Sequence, residues 1–161
     1  MGEARELMDR VTNATVTIGD LKAIGECYAE DAVIMTPDEG ELTGRDQIME
    51  WWRPFVESFS ELTWEPLHAH EVGNTAIDEG YFGGVNTGPL STPMGTMPAT
   101  GRRVRIRGCD VATVVNGHIV EHRFYFDQME YLGQLGLLQV VDAFGLHGRL
   151  QLRGTGAKKS L

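Results

Sequence analysis

The sequence predicts an α+β fold in which helices and strands occupy separate parts of the chain. Helical spacing of apolar residues dominates up to Phe59, whereas alternation of apolar and polar residues dominates from Trp64 to Phe126. Such segregation is typical of α+β domains with a mostly antiparallel sheet. We expect a curved sheet wrapped around three N-terminal helices, with a short C-terminal helix, forming a cone around a pocket.

Length and composition narrow the class of protein. The chain has 161 residues, of which 42% are apolar, enough for one domain with a sizeable core. We expect a single domain over residues 1–147 and a disordered tail over residues 148–161. No apolar run approaches membrane-spanning length, and no signal sequence is recognisable. With a net charge of −9, these features predict a cytoplasmic protein without a nucleic-acid or membrane partner.

Three helices are predicted in the first part of the chain, with one early strand between the second and the third. Residues 3–17 carry apolar residues at helical spacing, and Asp20 is placed to cap a second helix over Leu21–Ala29. Thr43-Gly44-Arg45-Asp46 leads into a predicted third helix that runs through about Phe59, with a kink or early end at Pro54. Its inward stripe consists of Ile48, Trp52, Phe55 and Phe59, flanked by Trp51.

The early strand and a later run of strands are predicted, and one long segment interrupts the later run. Strands are predicted at Asp31–Thr36, Trp64–Val72 and Thr75–Phe82. Residues 83–101 are rich in Gly, Pro and Thr, and we expect a loop that acts as a lid or an interface arm. A terminal helix is predicted over Gln128–Leu137, and residues 138–147 are expected to add another turn or helix.

The clearest pattern is a hairpin over Arg102–Asp127 with its turn at Asn116-Gly117. One face of this hairpin is apolar except for Asp110 and His122. Two ionisable groups on an apolar face need partners or a function, because unpaired burial is costly. They form either a buried hydrogen-bonded pair or an acid/base couple.

The turn type decides which residues of the hairpin are paired. A three-residue loop with a bulge pairs Val114 with His118 and sets Asp110 opposite His122, whereas a two-residue turn pairs Val111 with His122. We favour the three-residue loop because it keeps both apolar sets on one side.

Other candidate residues have a structural and a functional interpretation. Asp127 is either the N-cap of the terminal helix or a catalytic group. The arginine cluster Arg102, Arg103, Arg105 and Arg107 fits an exposed strand face or subunit contact better than an anion site. His68 and His70 share a strand face, but no third metal ligand lies at a suitable spacing, so we predict no metal site.

Two groups of short motifs resemble a known superfamily. The first group is Tyr28-Ala29-Glu30-Asp31-Ala32 and Leu42-Thr43-Gly44-Arg45-Asp46; the second is Thr87-Gly88-Pro89-Leu90, Pro98-Ala99-Thr100-Gly101-Arg102, Asp127-Gln128 and Gln134-Leu135-Gly136. The first group resembles the opening of nuclear transport factor 2-like cone folds, and the second resembles the SnoaL-like polyketide cyclases within that superfamily. The resemblance covers about residues 5–138. Because this superfamily holds several enzyme classes and non-enzymatic modules, the fold alone does not define a function.

The resemblance implies roles only where this chain keeps the residue. Asp110 matches the oxyanion-binding Asp of ketosteroid isomerases, but the places of their base and their oxyanion Tyr hold Thr36 and about Thr12. Asp127 matches the acid/base Asp of the polyketide cyclases. The places of the limonene-epoxide hydrolase triad hold Gly80, Phe82 and Phe124.

The resemblance therefore implies a small cofactor-free homodimeric enzyme that cyclises or isomerises a hydrophobic carbonyl-containing substrate. We expect His122 or Asp127 to take a proton α to a carbonyl, and Asp110 to orient the base or bind the enolate oxygen. The expected pocket walls are Met35, Trp52, Phe55, Phe59, Phe82, Phe124 and Phe126. The alternatives are a non-catalytic hydrophobic ligand-binding or dimerisation module, and an epoxide hydrolase or dehydratase with rearranged acids.

Overall fold

The computed structural model describes residues 2–92, 95–137, 139–141 and 147–149. The helices are α1 (Glu3–Asn13), a π-helical segment (Ala14–Ile18), α2 (Leu21–Gly25), α3 (Arg45–Glu57) and α4 (Gln128–Leu135). The strands are β1 (Tyr28–Thr36), β2 (Gly40–Thr43), β3 (Phe59–Val72), β4 (Thr75–Asn86), β5 (Leu90–Thr92), β6 (Gly95–Met97), β7 (Arg103–Val115), β8 (His118–Phe126), β9 (Gln139–Val141) and β10 (His147–Arg149). None of the helices within these ranges has the length and apolar character needed to cross a membrane.

A mixed sheet with strand order β2-β1-β8-β7-β4-β3 forms the body of the fold. Its neighbouring strands are antiparallel except for β1 and β8, which run parallel. The helices pack on one face of this sheet, so the α+β class expected from the sequence is confirmed. The main core forms between α1, α3 and the inner faces of β1, β4, β7 and β8.

The first helix follows the sequence prediction closely. Helix α1 buries Leu7, Met8 and Val11, which recur at helical spacing, and the π-helical segment carries the helical path to Ile18. Gly19 then ends it with a left-handed backbone, where φ is 65°.

The second helix is shorter than predicted. Asp20 caps it as expected, accepting hydrogen bonds from the N–H groups of Lys22 and Ala23, but the helix ends at Gly25 instead of Ala29. The chain then enters β1 at Tyr28, which lies beside Ile119 of β8. Pairing with a distant strand outweighs the local helical pattern here, because it buries Tyr28 completely.

Helix α3 continues past Pro54 to Glu57, so the predicted early end is wrong. The inward residues Ile48, Trp51, Trp52 and Phe55 are buried as expected. Phe59 is also buried, but it opens β3 and does not belong to the helix.

The long segment over residues 83–101 is partly strand. Strand β4 runs on to Asn86, and the short strands β5 and β6 pair with each other. Asn86 is fully buried; its amide Nδ2 donates to the carbonyl oxygens of Ser58 (3.0 Å) and Gly88 (2.9 Å), and its Oδ1 accepts from the Thr100 N–H (2.7 Å). Asn86 therefore ties both ends of this segment to the body of the fold, and a lid or arm role stays a prediction.

The central hairpin is confirmed, but its turn is of the other type. Asn116 and Gly117 form a two-residue turn between the paired residues Val115 and His118, with φ of 50° and 77°. The predicted pairing of Val114 with His118 is therefore wrong. Two positive φ angles in succession are the mark of a type I′ turn, which Asn-Gly favours.

After this turn, a bulge in β8 changes which of its side chains point toward the core. The register shifts by one residue between Val114, which pairs with Ile119, and Thr113, which pairs with Glu121, so Val120 is the extra residue. Ile119 is consequently fully buried, and Val120 is half-buried, the reverse of the simple alternation expected. The extra residue returns the remaining apolar residues of β8 to the inner face.

The C-terminal part differs from expectation. Helix α4 ends at Leu135 because Gly136 adopts a left-handed backbone with φ of 74°. Beyond it, β9 and β10 pair with each other where a turn or helix was expected, and β10 includes Gly148 and Arg149 of the predicted disordered tail. The rest of that tail, residues 150–161, lies outside the described residues, and the division into one domain stays a prediction.

Candidate active site

A largely apolar cavity lies between the first helix, α3 and the inner face of the sheet. Its volume, measured as the space open to the centre of a water molecule, is about 40 Å³. The lining residues are Met8, Val11, Thr12, Thr15, Val16, Trp52, Phe55, Trp64, Phe82, Asp110, His122 and Phe124. The expected wall residues Trp52, Phe55, Phe82 and Phe124 are among them.

Three other expected wall residues lie elsewhere. Met35 faces outward on β1 and is 36% exposed. Phe59 packs into a second small core around Leu90, Val104 and Leu135. Phe126 packs against Tyr131 of α4, with ring centroids 5.9 Å apart. These positions depend on strand facing and on where α4 docks, which the alternation pattern alone does not determine.

The wall contributed by the first helix was missed in the sequence. Its members Met8, Val11, Thr12, Thr15 and Val16 lie on α1 and the π-helical segment. The apolar stripe of this helix predicted a buried face, but nothing local indicates that this face borders a cavity. The Thr15 hydroxyl donates to the Val11 carbonyl oxygen at 2.8 Å, whereas no described residue bonds to the Thr12 hydroxyl.

Two facing glycines let aromatic rings lie close to the sheet. Gly80 and Gly108 are opposite each other on β4 and β7. A Cβ atom would come within 2.7 Å of the Trp64 ring at Gly80 and within 2.7 Å of the Phe124 ring at Gly108. Larger residues would therefore displace both rings, which line the cavity.

Asp110 and His122 meet, as the sequence predicted, although they are not directly opposite. Ala112 pairs with His122 and Asp110 pairs with Phe124, so the two ionisable groups are diagonal neighbours on one face. His122 Nε2 lies 2.8 Å from Asp110 Oδ1. The His122 side chain is 1% exposed and that of Asp110 is 16% exposed, so Asp110 is the more accessible of the two from the cavity.

A third group, Tyr28, completes this arrangement and was missed in the sequence. Its hydroxyl lies 2.6 Å from His122 Nδ1 and accepts a hydrogen bond from Trp52 Nε1 at 3.1 Å. Tyr28 was assigned to a helix, and 94 positions separate it from His122. No sequence signal short of the complete fold connects these two residues.

The donor capacities define the direction of this chain of hydrogen bonds. The Trp52 indole can only donate, so the Tyr28 oxygen accepts from it. Among the described residues, His122 Nδ1 is then the acceptor within reach of the Tyr28 hydrogen. The proton of a neutral His122 is then on Nε2 and is donated to the Asp110 carboxylate. Among the described residues, each buried side-chain nitrogen or oxygen has a hydrogen-bond partner.

Burial is the main influence on the pKa values of the Asp110 carboxyl and the Tyr28 phenol. It raises the pKa of the Asp110 carboxyl above its usual range, and the hydrogen bond from His122 offsets part of this rise. Burial also raises the pKa of Tyr28, so its phenol keeps its proton. Of the two, Asp110 is the group whose charge can change near the cavity.

Asp127 is placed as a helix cap. It is exposed, lies outside the cavity lining, and its Oδ1 accepts from the Glu130 N–H at 2.9 Å. The Glu130 side chain accepts from Gln134 Nε2 at 3.0 Å. Among the described residues it does not also accept from the Asp127 N–H, so the second hydrogen bond of a capping box is not formed.

The remaining candidate residues are on the outer surface. Arg103, Arg105 and Arg107 form ion pairs with Glu61, Glu65 and Glu79, as suits an exposed strand face. The exposed rings of His68 and His70 stack, with centroids 6.2 Å apart. Across the described ranges, no three or more His, Cys, Asp or Glu side chains are grouped so that they could hold a metal ion.

The fold recurs in solved structures of low sequence identity. One is a protein from Jannaschia sp. CCS1, provisionally assigned as a SnoaL-like polyketide cyclase, with a TM-score of 0.71, 15% identity, and 83% of this chain and 91% of that chain covered. Another is TsrD from Streptomyces laurentii, with a TM-score of 0.69, 21% identity, and 84% and 96% covered. A third is IdmH from Streptomyces antibioticus, also provisionally assigned as a polyketide cyclase, with a TM-score of 0.68, 22% identity, and 84% and 99% covered.

These likenesses establish the fold, whereas the family is established by sequence. No curated protein sequence matches the chain. The sequence profile of the SnoaL-like domain matches residues 8–122, which include α1 from Met8 onward, Tyr28, Asp110 and His122. The chain belongs to the SnoaL-like domain family.

Proposed function

We propose that this chain is a cofactor-free acid/base enzyme of the polyketide cyclase type, with Asp110 as its catalytic base. The observation that carries the proposal is the Asp110 carboxylate, which lines an apolar cavity while His122 holds one of its oxygens at 2.8 Å. Among the described residues, only Oδ1 of this carboxylate has a hydrogen-bond partner, so Oδ2 is available to a substrate. Membership of the SnoaL-like family supports the general class of reaction.

The proposed reaction is an intramolecular aldol closure. Asp110 removes a proton α to a carbonyl, and the resulting enolate carbon attacks a second carbonyl carbon of the same molecule. A carbon–carbon bond forms, and the new alkoxide recovers the proton from the Asp110 acid, so that no oxidant or reductant is needed. The raised pKa of Asp110 favours this role, because a base works best when its pKa approaches the working pH.

The roles of the other two candidate residues change in this proposal. Both ring nitrogens of His122 are engaged, by Tyr28 and by Asp110, so His122 orients the base and does not itself take the substrate proton. Asp127 acts as a helix cap. Thr12 adds a hydroxyl on the cavity wall that is free to donate to a substrate oxygen.

The shape and composition of the cavity indicate the class of substrate. Trp52, Phe55, Phe82 and Phe124 present aromatic walls, and the facing glycines let the nearby rings lie along the sheet. Such walls bind flat apolar molecules, and the few polar groups select the orientation of a carbonyl.

Deuterium exchange tests the proposal without the natural substrate. The protein is incubated in D2O with 2-tetralone, a flat ketone with acidic α-protons, and deuterium uptake is followed by mass spectrometry. We expect exchange above the buffer rate, a loss of at least about 100-fold of this excess in Asp110→Asn, and wild-type exchange in the matched variant Asp127→Asn. Equal rates in wild type and Asp110→Asn would refute the role of Asp110.

A non-catalytic binding module is the second candidate. It is favoured by the predominance of apolar side chains in the cavity wall, which would hold a hydrophobic molecule whether or not it reacts. Saturable binding of 2-tetralone without any exchange above buffer would favour this candidate over the enzyme.

We also propose that the chain forms a homodimer through the outer face of its sheet. Support comes from Tyr125, which is 54% exposed, and from the arginine–glutamate pairs that balance the charge of this face. A monomer at micromolar concentration in sedimentation would contradict this proposal.

A further inference from the structure

A buried ion pair lies beside the proposed base. Arg5 of α1 contacts Asp78 of β4 with two nitrogens, one of which, Nη2, lies 2.6 Å from Asp78 Oδ2. The two side chains are 12% and 7% exposed. A bidentate pair with this little exposure is held in one geometry, unlike the ion pairs on the outer surface.

Asp78 is directly opposite Asp110. The two residues are cross-strand partners between β4 and β7, and both face inward. Directly opposite side chains in an antiparallel sheet have Cβ atoms about 5 Å apart. Two carboxylates this close and this poorly solvated resist double ionisation, and one of them retains a proton unless a cation intervenes.

The charges around Asp110 come from each element that surrounds it. Arg5 approaches from α1, Asp78 from β4 and His122 from β8, while Tyr28 of β1 acts through His122. Of these groups, Arg5 is the one that always carries a positive charge, because a guanidinium is not deprotonated in proteins. Arg5 also pairs with Asp9, which is 54% exposed and therefore well screened by solvent.

We propose that Arg5 is a positioning residue for the site: by pairing with Asp78 it compensates the second buried carboxylate, so that Asp110 remains an ionised base at neutral pH. The proposal deepens the proposed function and rests on it for its catalytic meaning. The effect of Arg5 on the ionisation of Asp110 does not depend on that function, since it concerns the free protein. The influences on the pKa of Asp110 agree with this arrangement: after burial, which raises it, and His122, which lowers it, Asp78 raises it and Arg5 lowers it.

Carboxyl titration by NMR tests the proposal directly. The free protein, labelled with 13C at aspartate carboxyls, is titrated as wild type, Arg5→Met, Asp78→Asn and the double variant. We expect the Asp110 midpoint to rise by about one pH unit or more in Arg5→Met, and to fall in Asp78→Asn, where Arg5 faces Asp110 alone. The double variant removes both charges and should return the midpoint toward the wild-type value.

The outcomes separate this proposal from the enzymatic one. If the titration midpoint of Asp110 does not move in Arg5→Met, the proposed role of Arg5 is wrong. The same holds if the midpoint of Asp78 moves and that of Asp110 does not. If Arg5→Met does not fold, the Asp78→Asn variant decides, and an unchanged or raised midpoint in it overturns the proposal. The titration needs no substrate, so failure of 2-tetralone exchange leaves it intact. If exchange is observed, the acid limb of its pH profile should move upward in Arg5→Met together with the NMR midpoint.

Discussion

Tyr28→Phe is the substitution that most directly tests the hydrogen-bond chain behind Asp110. Tyr28 is fully buried, and its hydroxyl serves two partners, His122 Nδ1 at 2.6 Å and Trp52 Nε1 at 3.1 Å. Phenylalanine keeps the ring in place but leaves both partner atoms unsatisfied. No water from the solvent reaches them without rearrangement, since His122 is also buried.

The expected loss of stability follows from these two atoms. A buried polar atom left without a partner costs about 1–3 kcal/mol, so two of them lower the free energy of unfolding by about 2–4 kcal/mol after partial relaxation. This is a large share of the about 5–15 kcal/mol that holds a typical domain folded. With a urea dependence of about 2 kcal/mol per molar, the unfolding midpoint falls by about 1–2 M.

Urea unfolding followed by tryptophan fluorescence measures this change. The matched control is Tyr125→Phe, which removes the same hydroxyl from a side chain that is 54% exposed and should change stability by less than about 0.5 kcal/mol. If Tyr28→Phe unfolds at the same urea concentration as this control, the inferred chain of hydrogen bonds is wrong.

Two further predictions concern the carboxylates. Because burial raises the pKa of folded Asp110 above its unfolded value of about 4, the folded state binds this proton more tightly. The stability that comes from this tighter proton binding is therefore complete below about pH 4 and is lost as the pH rises through the folded pKa of Asp110. Over this pH interval the urea midpoint of wild type should fall relative to that of Asp110→Asn. A parallel pH dependence of the two midpoints would contradict the argument. Asp127→Ala should lower the unfolding free energy by about 1 kcal/mol through loss of the α4 cap, with 2-tetralone exchange unchanged; loss of exchange in a folded variant would restore Asp127 as a catalytic candidate.

Much of the fold could be predicted because its signals are local. The stripe of Met8 and Val11, the cap at Asp20 and the Asn116-Gly117 turn each depend on residues within a few positions of one another. The same holds for the cap at Asp127. Errors occurred where distant strands compete with local preference, as at Tyr28, or where a bulge shifts the facing of a strand, as at Val120.

The sequence by itself determined that Asp110 and His122 share one apolar face, because strand alternation is a property of the backbone. Only the tertiary structure decided that Tyr28 and Trp52 engage the far side of His122, and that Asp110 is more accessible from the cavity. It also placed Arg5 and Asp78 beside Asp110. These contacts join residues far apart in the chain, and their geometry depends on how the first helix docks onto the sheet, which no local pattern encodes.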